Sequence, residues 1–123
     1  MARRRSRPPM LSDDAVQLVA TRFRVLSDPA RLRILNLLML GECSVGDLVN
    51  ELELEQPTVS RHLAVLRRER IAVRRAEGNR AFYRIEDPTV MRLFAIACGG
   101  LSDQLAGELD ALPSPDEWRG SGI

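Results

Sequence analysis

The chain contains one histidine, His62, and two cysteines, Cys43 and Cys98, in 123 residues. With so few imidazole and thiol groups, a lone histidine is a poor candidate for either metal binding or catalysis. A disulfide framework is excluded, because the two cysteines lie far apart and form no C-x-x-C pair. No apolar run approaches ~18 residues, so no transmembrane helix is expected. The opening MARRRSRPPM is basic but is not followed by the apolar segment of a secretory signal, which predicts the cytosol. There is no phosphate-cradling glycine loop and no Ser-His-Asp or Cys-His arrangement, so an enzyme is not expected. Lysine is absent altogether, and no function is read from that choice.

What is present is ordinary for a globular domain: 45% hydrophobic and 28% charged residues, with a length that suits one core. The net charge of +1 conceals a strong pattern. Residues 1–10 carry four arginines and no acid, while residues 11–55 carry four arginines against eight acids. Residues 56–85 carry eight arginines against only Glu69 and Glu77, and residues 86–123 return to two against seven. A short central block of charge +6 thus stands between acidic flanks.

Residues 1–11, rich in Arg and Pro, are expected to be a disordered basic arm. Ser12 is a natural N-cap, with Asp13 and Asp14 in the first turn, for a helix to about Leu26. Its apolar stripe is Val16, Val19, Ala20, Phe23 and Leu26. Asp28 caps a second helix with Pro29 at its first position. Leu32, Ile34, Leu35, Leu37, Leu38 and Leu40 make that helix apolar over much of its surface and mark it as central. Ser44 caps a short third helix with Val45, Leu48, Val49 and Leu52 inward. A break at 53–56 precedes a fourth helix that has Pro57 in its first turn. Two short helices joined so tightly have the layout of a helix-turn-helix. IAVRRA and AFYRI around EGNR read as a β-hairpin. Asp87 and Pro88 start a long last helix with Val90, Leu93, Phe94, Ala97, Leu101, Leu105 and Leu109 at helical spacing. The expected layout is an arm at 1–11, one domain at 12–111 and a flexible tail at 112–123.

The fourth helix, QPTVSRHLAVLRR at 56–68, has Val59, Leu63 and Leu66 as a buried stripe. Its other face holds Gln56, Thr58, Ser60 and Arg61, with Arg67 and Arg68 at the end and no acid. A helix that enters a DNA major groove must be thin on the groove side, with short polar groups or arginine at the base edges. The bland alternative is a solvated amphipathic helix. The neighbouring hairpin lowers its weight, because Arg74, Arg75, Arg80 and Arg84 lie on or beside the two strands. Together with Asn79 at the tip they would form a wing that holds flanking phosphates, which supplies affinity without sequence information. His62 is read as a phosphate contact or a local cap. The DNA-facing candidates are therefore Gln56, Thr58, Ser60, Arg61, His62, Arg67, Arg68, Arg75, Asn79 and Arg80.

LSDPARLRILNLL followed by GECSVGDLVNELELEQPTVSRHLAVLRRERIAVRRAEGNRAFYRI resembles the ArsR/SmtB family of winged-helix bacterial repressors. The resemblance covers roughly residues 13–108. It implies a mainly α fold with a small hairpin, ordered α1-α2-α3-α4-β1-β2-α5, and a homodimer joined by the first and last helices. It also implies a double-stranded inverted-repeat operator and release by an inducer. The family's known sensing positions do not carry their ligands here. The thiolate pair of the third helix falls on Ser44 and Gly46, and the last-helix zinc positions on Asp87, Thr89, Gly100 and Asp103. The paired-cysteine positions fall on Asn36 and Ser102. No metal or cofactor is therefore expected. Cys43 and Cys98 are candidates for a different redox pair, against the preferred reading as small buried hydrophobes. The response could also run through an effector-sensing partner protein or through metal bound by a terminus or partner subunit. The competing function is a protein-interaction module that has lost operator binding, or a metal- or redox-responsive co-regulator acting with a partner protein.

Overall fold

The computed structural model describes residues 7–105. Residues 1–6 of the arm expected at 1–11, the tail expected at 112–123 and the last helix beyond Leu105, Leu109 included, lie outside them. The order is α1 (Asp13–Leu26), α2 (Pro29–Leu40), β1 (Cys43–Ser44), α3 (Val45–Leu52), α4 (Gln56–Arg68), β2 (Ala72–Glu77), β3 (Arg80–Ile85) and α5 (Pro88–Leu105). This is a winged helix-turn-helix.

Local chemistry sets most of the boundaries. The Ser12 hydroxyl accepts from the Ala15 N–H, and the Asp28 carboxylate from the Arg31 N–H, so both helices begin on a capped donor. At α3 the Ser44 hydroxyl accepts from the Asp47 N–H at 3.1 Å while Asp47 accepts from the Ser44 N–H at 2.9 Å, a reciprocal capping box. The fourth helix begins one residue before Pro57, at Gln56, rather than after a break that includes it. It ends in a Schellman turn, in which the Ile71 N–H donates to the Leu66 carbonyl and the Arg70 N–H to Arg67. Arg70 holds φ 60 there, a position glycine usually fills. Glu53 holds φ 53 at the corner between α3 and α4, again with a side chain in left-handed backbone.

The hairpin pairs Glu77 with Arg80 across a two-residue Gly78-Asn79 turn in which Gly78 has φ 59. Glycine at that first central position is what such a turn asks for. A third strand was not expected from the sequence. Cys43 and Ser44 pair antiparallel with Tyr83 and Phe82, giving the sheet order β1-β3-β2. Two residues are too few to show an alternating pattern.

The core gathers Ile34, Leu35 and Leu38 of α2 with Leu48 of α3 and Val59, Leu63 and Leu66 of α4. Ile71, Ala72, Tyr83 and Val90 close it from the sheet and α5. The central place of α2 follows, with one correction. Leu40 is 77% exposed, and Met39 is the buried side chain at that end. The stripe of α1 is the larger surprise. Val16, Val19 and Phe23 are exposed in this chain, Leu18 is 74% exposed, and Ile96 on α5 is 71% exposed. Among the described residues α1 buries only Val25 fully.

Leu66→Ala should cost about 2–5 kcal/mol, because a fully buried side chain leaves a cavity among α2, the sheet and α4. Glu53→Gly should raise stability by up to about 1 kcal/mol by relieving left-handed strain at the corner. Denaturant unfolding at fixed protein concentration measures both.

Candidate nucleic-acid interface

Three buried side chains, Val59, Leu63 and Leu66, fix the rotation of α4. The residues turned outward are consequently Pro57, Ser60, Arg61, Ala64, Arg67 and Arg68, a continuous exposed stripe. Gln56 is exposed at its start. Thr58 lies on the flank, half-buried, with its hydroxyl 3.4 Å from the Arg61 guanidinium. Ala64 was not singled out from the sequence, and Pro57 only as a first-turn residue. Pro57 keeps the start of the stripe short and Ala64 its middle, and their apolar character on the polar side of the helix was the available signal.

His62 is half-buried on the same flank, and its Nε2 lies 3.9 Å from the Asp28 carboxylate. Burial holds its pKa below the ordinary imidazole value, against the opposing pull of Asp28. His62 therefore packs beside the cap of α2, at a distance too long for a hydrogen bond. Arg67 faces outward with no carboxylate in ion-pair range among the described residues. Arg68 lies 3.6 Å from Glu69.

The wing is less uniformly basic than its composition suggested. Strand pairing puts Arg74 opposite Tyr83 and Arg75 opposite Phe82, so the two arginines leave opposite faces of the sheet. Arg74 shares the face that covers the core and is itself exposed. Arg75, Arg80 and Arg84 share the outer face, and each has an acid. Arg75 donates to Glu42 at 2.6 Å and also to Glu77, and Arg84 donates to Glu86 at 2.8 Å. Arg80 donates to the Ser44 hydroxyl at 3.1 Å and lies 4.0 Å from Asp47. Arg75 and Arg80 flank the ring of Phe82 at 4.8 and 5.0 Å from its centroid. Asn79 is exposed at the tip. Glu42 and Phe82 were missed in the sequence, because a contact across 33 residues leaves no local pattern.

Two of the sensing positions, Ser44 and Asp87, are committed to the fold. Ser44, with Asp47, caps α3. Asp87 accepts from Arg22 at 3.1 Å and from the Thr89 N–H at 2.9 Å, which joins α1 to the start of α5. Among the described residues no group of three or more His, Cys, Asp or Glu is placed to hold a metal ion. Cys43 and Cys98 are both half-buried free thiols, and burial raises the pKa of each. A raised thiol pKa lowers the thiolate fraction on which oxidation and exchange depend. Among the described residues no helix is long and apolar enough to cross a membrane.

A sequence profile of the family described as "Bacterial regulatory protein, arsR family" matches residues 28–73. The HTH-type transcriptional regulator KmtR of Mycobacterium tuberculosis is 41% identical over 88 residues, which cover 72% of this chain and 68% of that one. The chain belongs to the arsR family. A transcriptional repressor SmtB homolog from Synechocystis is 34% identical over 74% of this chain and 69% of its own. Among solved structures, the homodimeric winged helix-turn-helix DNA-binding domain of a "possible ArsR-family transcriptional regulator" from Mycobacterium bovis superposes with a TM-score of 0.67. It is 30% identical and covers 80% of this chain and 94% of that one. As a member of this family the chain is a DNA-binding transcriptional regulator and not an enzyme.

The carboxylates at the cap and wing couple this site to acid. Hydrogen bonding to the Ser44 N–H lowers the pKa of Asp47, the Arg31 N–H lowers that of Asp28, and Arg75 lowers that of Glu42. Each group is depressed in the folded state, so the stability it contributes is present at neutral pH and lost as pH falls through the folded value. Asp47→Asn, which keeps an acceptor for Ser44, should therefore be less stable at pH 7 and lose less on acidification from about pH 5 to 2. Thermal unfolding of both proteins across that range is the measurement.

Proposed function

We propose that this chain is a repressor that binds an inverted-repeat operator as a homodimer, each protomer presenting α4 to one major groove. The observation that carries this reading is the outward stripe of α4. Ser60 stands beside Arg61, Ala64 is the small side chain between Arg61 and the Arg67-Arg68 pair, and the stripe carries no acid. Ser60 and Arg61, with Gln56 and Thr58 beside them, would read base edges, since serine and threonine pair with several bases and arginine with guanine. Arg67, Arg68 and Arg74 would hold phosphates. Asn79 and Arg80 would meet the backbone at the wing tip, Arg80 doing so while tied to Ser44. Arg75 contributes less than its charge suggests, and His62 acts through the packing of α4.

The dimer reading rests on the uncovered apolar positions of α1 and α5. Leu18, Phe23 and Ile96 lie on two helices that Arg22 and Asp87 join, and such surface on a small domain marks an interface. The homodimeric Mycobacterium bovis domain shares this fold. A DNA target places the working protein in the cytoplasm. Repression by operator binding needs neither a metal nor a separate effector-sensing protein, and neither enters this reading. Cys43 and Cys98 serve as half-buried packing groups.

Arg61→Ala should cost on the order of 1–3 kcal/mol in binding to a duplex from the chain's own upstream region and leave unfolding unchanged. Arg74→Ala should weaken operator and scrambled duplexes equally and reduce the salt slope by about one. Fluorescence anisotropy across a salt series reads both. Equal, weak affinity of the parent protein for both duplexes would overturn the reading.

A further inference from the structure

The arginines near the DNA-facing stripe fall into two groups. Among the described residues no carboxylate lies within ion-pair distance of Arg61, Arg67, Arg70 or Arg74, whereas Arg75, Arg80 and Arg84 on the outer face of the wing each have one. Arg75 is the extreme case. Its side chain leaves the middle of β2, crosses β3 over the Phe82 ring and reaches Glu42 in the connection between α2 and β1. Nη2 donates to Oε1 of Glu42 at 2.6 Å and Nε donates to the same oxygen at 3.2 Å, while Nη1 donates to Glu77. One guanidinium therefore answers two carboxylates, and the cluster carries one net negative charge.

The pairing is not a buried structural bridge. The Arg75 side chain keeps 48% of its exposure, so a phosphate arriving from solvent could reach it. Exposed ion pairs are weak and exchangeable. Binding DNA through Arg75 thus requires displacing partners already in place, a cost that falls equally on every sequence. Phosphate contacts add affinity without sequence information, so freeing Arg75 would strengthen binding to any duplex alike.

We infer that Glu42 restrains the sequence-independent affinity of this chain for DNA by occupying Arg75 and so withholding a phosphate-seeking charge from the wing. This rests on the DNA-binding reading given above. Glu42 is assigned the role ahead of Glu77 because it takes two of the three N–H bonds and anchors the guanidinium from another element. Glu77 lies on the same strand, at the exposed tip, and assists.

The test compares the full chain with Glu42→Gln on a duplex from its own upstream region and on a scrambled duplex of equal length, across a salt series. Affinity of the variant for scrambled DNA should rise about two- to fivefold, the equivalent of one exposed ion pair released. Its salt slope should steepen by close to one phosphate contact, and affinity for the upstream duplex should rise by the same factor. The double variant Glu42→Gln/Arg75→Ala should lose the gain, and Glu51→Gln, an exposed acid on α3 outside the cluster, should not reproduce it. Unchanged or weaker scrambled binding by Glu42→Gln would overturn the inference, as would a gain that survives removal of Arg75. If Glu42→Gln is poorly folded by thermal unfolding, Glu77→Gln must show the same direction or the inference fails. A parent protein that binds neither duplex refutes the DNA reading itself, whereas a parent that binds and a variant that matches it refutes only the role of Glu42.

Discussion

The rotation of one helix about its own axis decides what this protein can present to DNA. Val59, Leu63 and Leu66 are buried against α2, α3 and the sheet, each contributing roughly 1.5–3 kcal/mol of apolar burial. A turn of α4 by one residue's angle would expose part of that stripe and bury Ser60 and Arg67, or Thr58 and His62, in exchange. Apolar burial and guanidinium solvation therefore select the same rotation. His62 against Asp28 adds a polar stop on one flank, and the Schellman turn at Arg70 fixes where the chain leaves for the wing.

Charge is arranged around that helix with more discrimination than composition shows. The +6 block reads as one basic surface, but strand alternation divides it. Arg74 leaves one face of the hairpin and Arg75, Arg80 and Arg84 leave the other, where Glu42, Asp47 and Glu86 meet them. The stripe of α4 keeps its arginines almost free of acids, and the wing does not. Arginines without an acid partner thus lie on α4 and on the core-side face of the hairpin, and the paired ones gather on its outer face.

Much of this was legible in the residues. Ser12, Asp28 and Ser44 announce their helices because a cap is a contact between near neighbours, and Val59, Leu63 and Leu66 announce a buried face because period is local. The Gly-Asn turn was legible for the same reason. What escaped were pairings set by the fold: the β1–β3 bridge, the reach of Arg75 to Glu42 and the meeting of His62 with Asp28. Leu40 looked like core and is exposed because α2 ends beside an open surface. On α1 the opposite problem arose. Val16, Val19 and Phe23 were legible as an apolar stripe, but no periodicity says whether the cover comes from the same chain.

The two-residue strand β1 has a mechanical consequence. It fuses the connection before α3 to the middle strand of the hairpin, and the Ser44 hydroxyl serves the α3 cap and Arg80 at once. The reading head and the wing consequently form one pre-organised body, with little freedom to close around a duplex after contact. Such a body surrenders little conformational entropy on docking, and the adjustment to groove width passes to the DNA and to the angle between protomers.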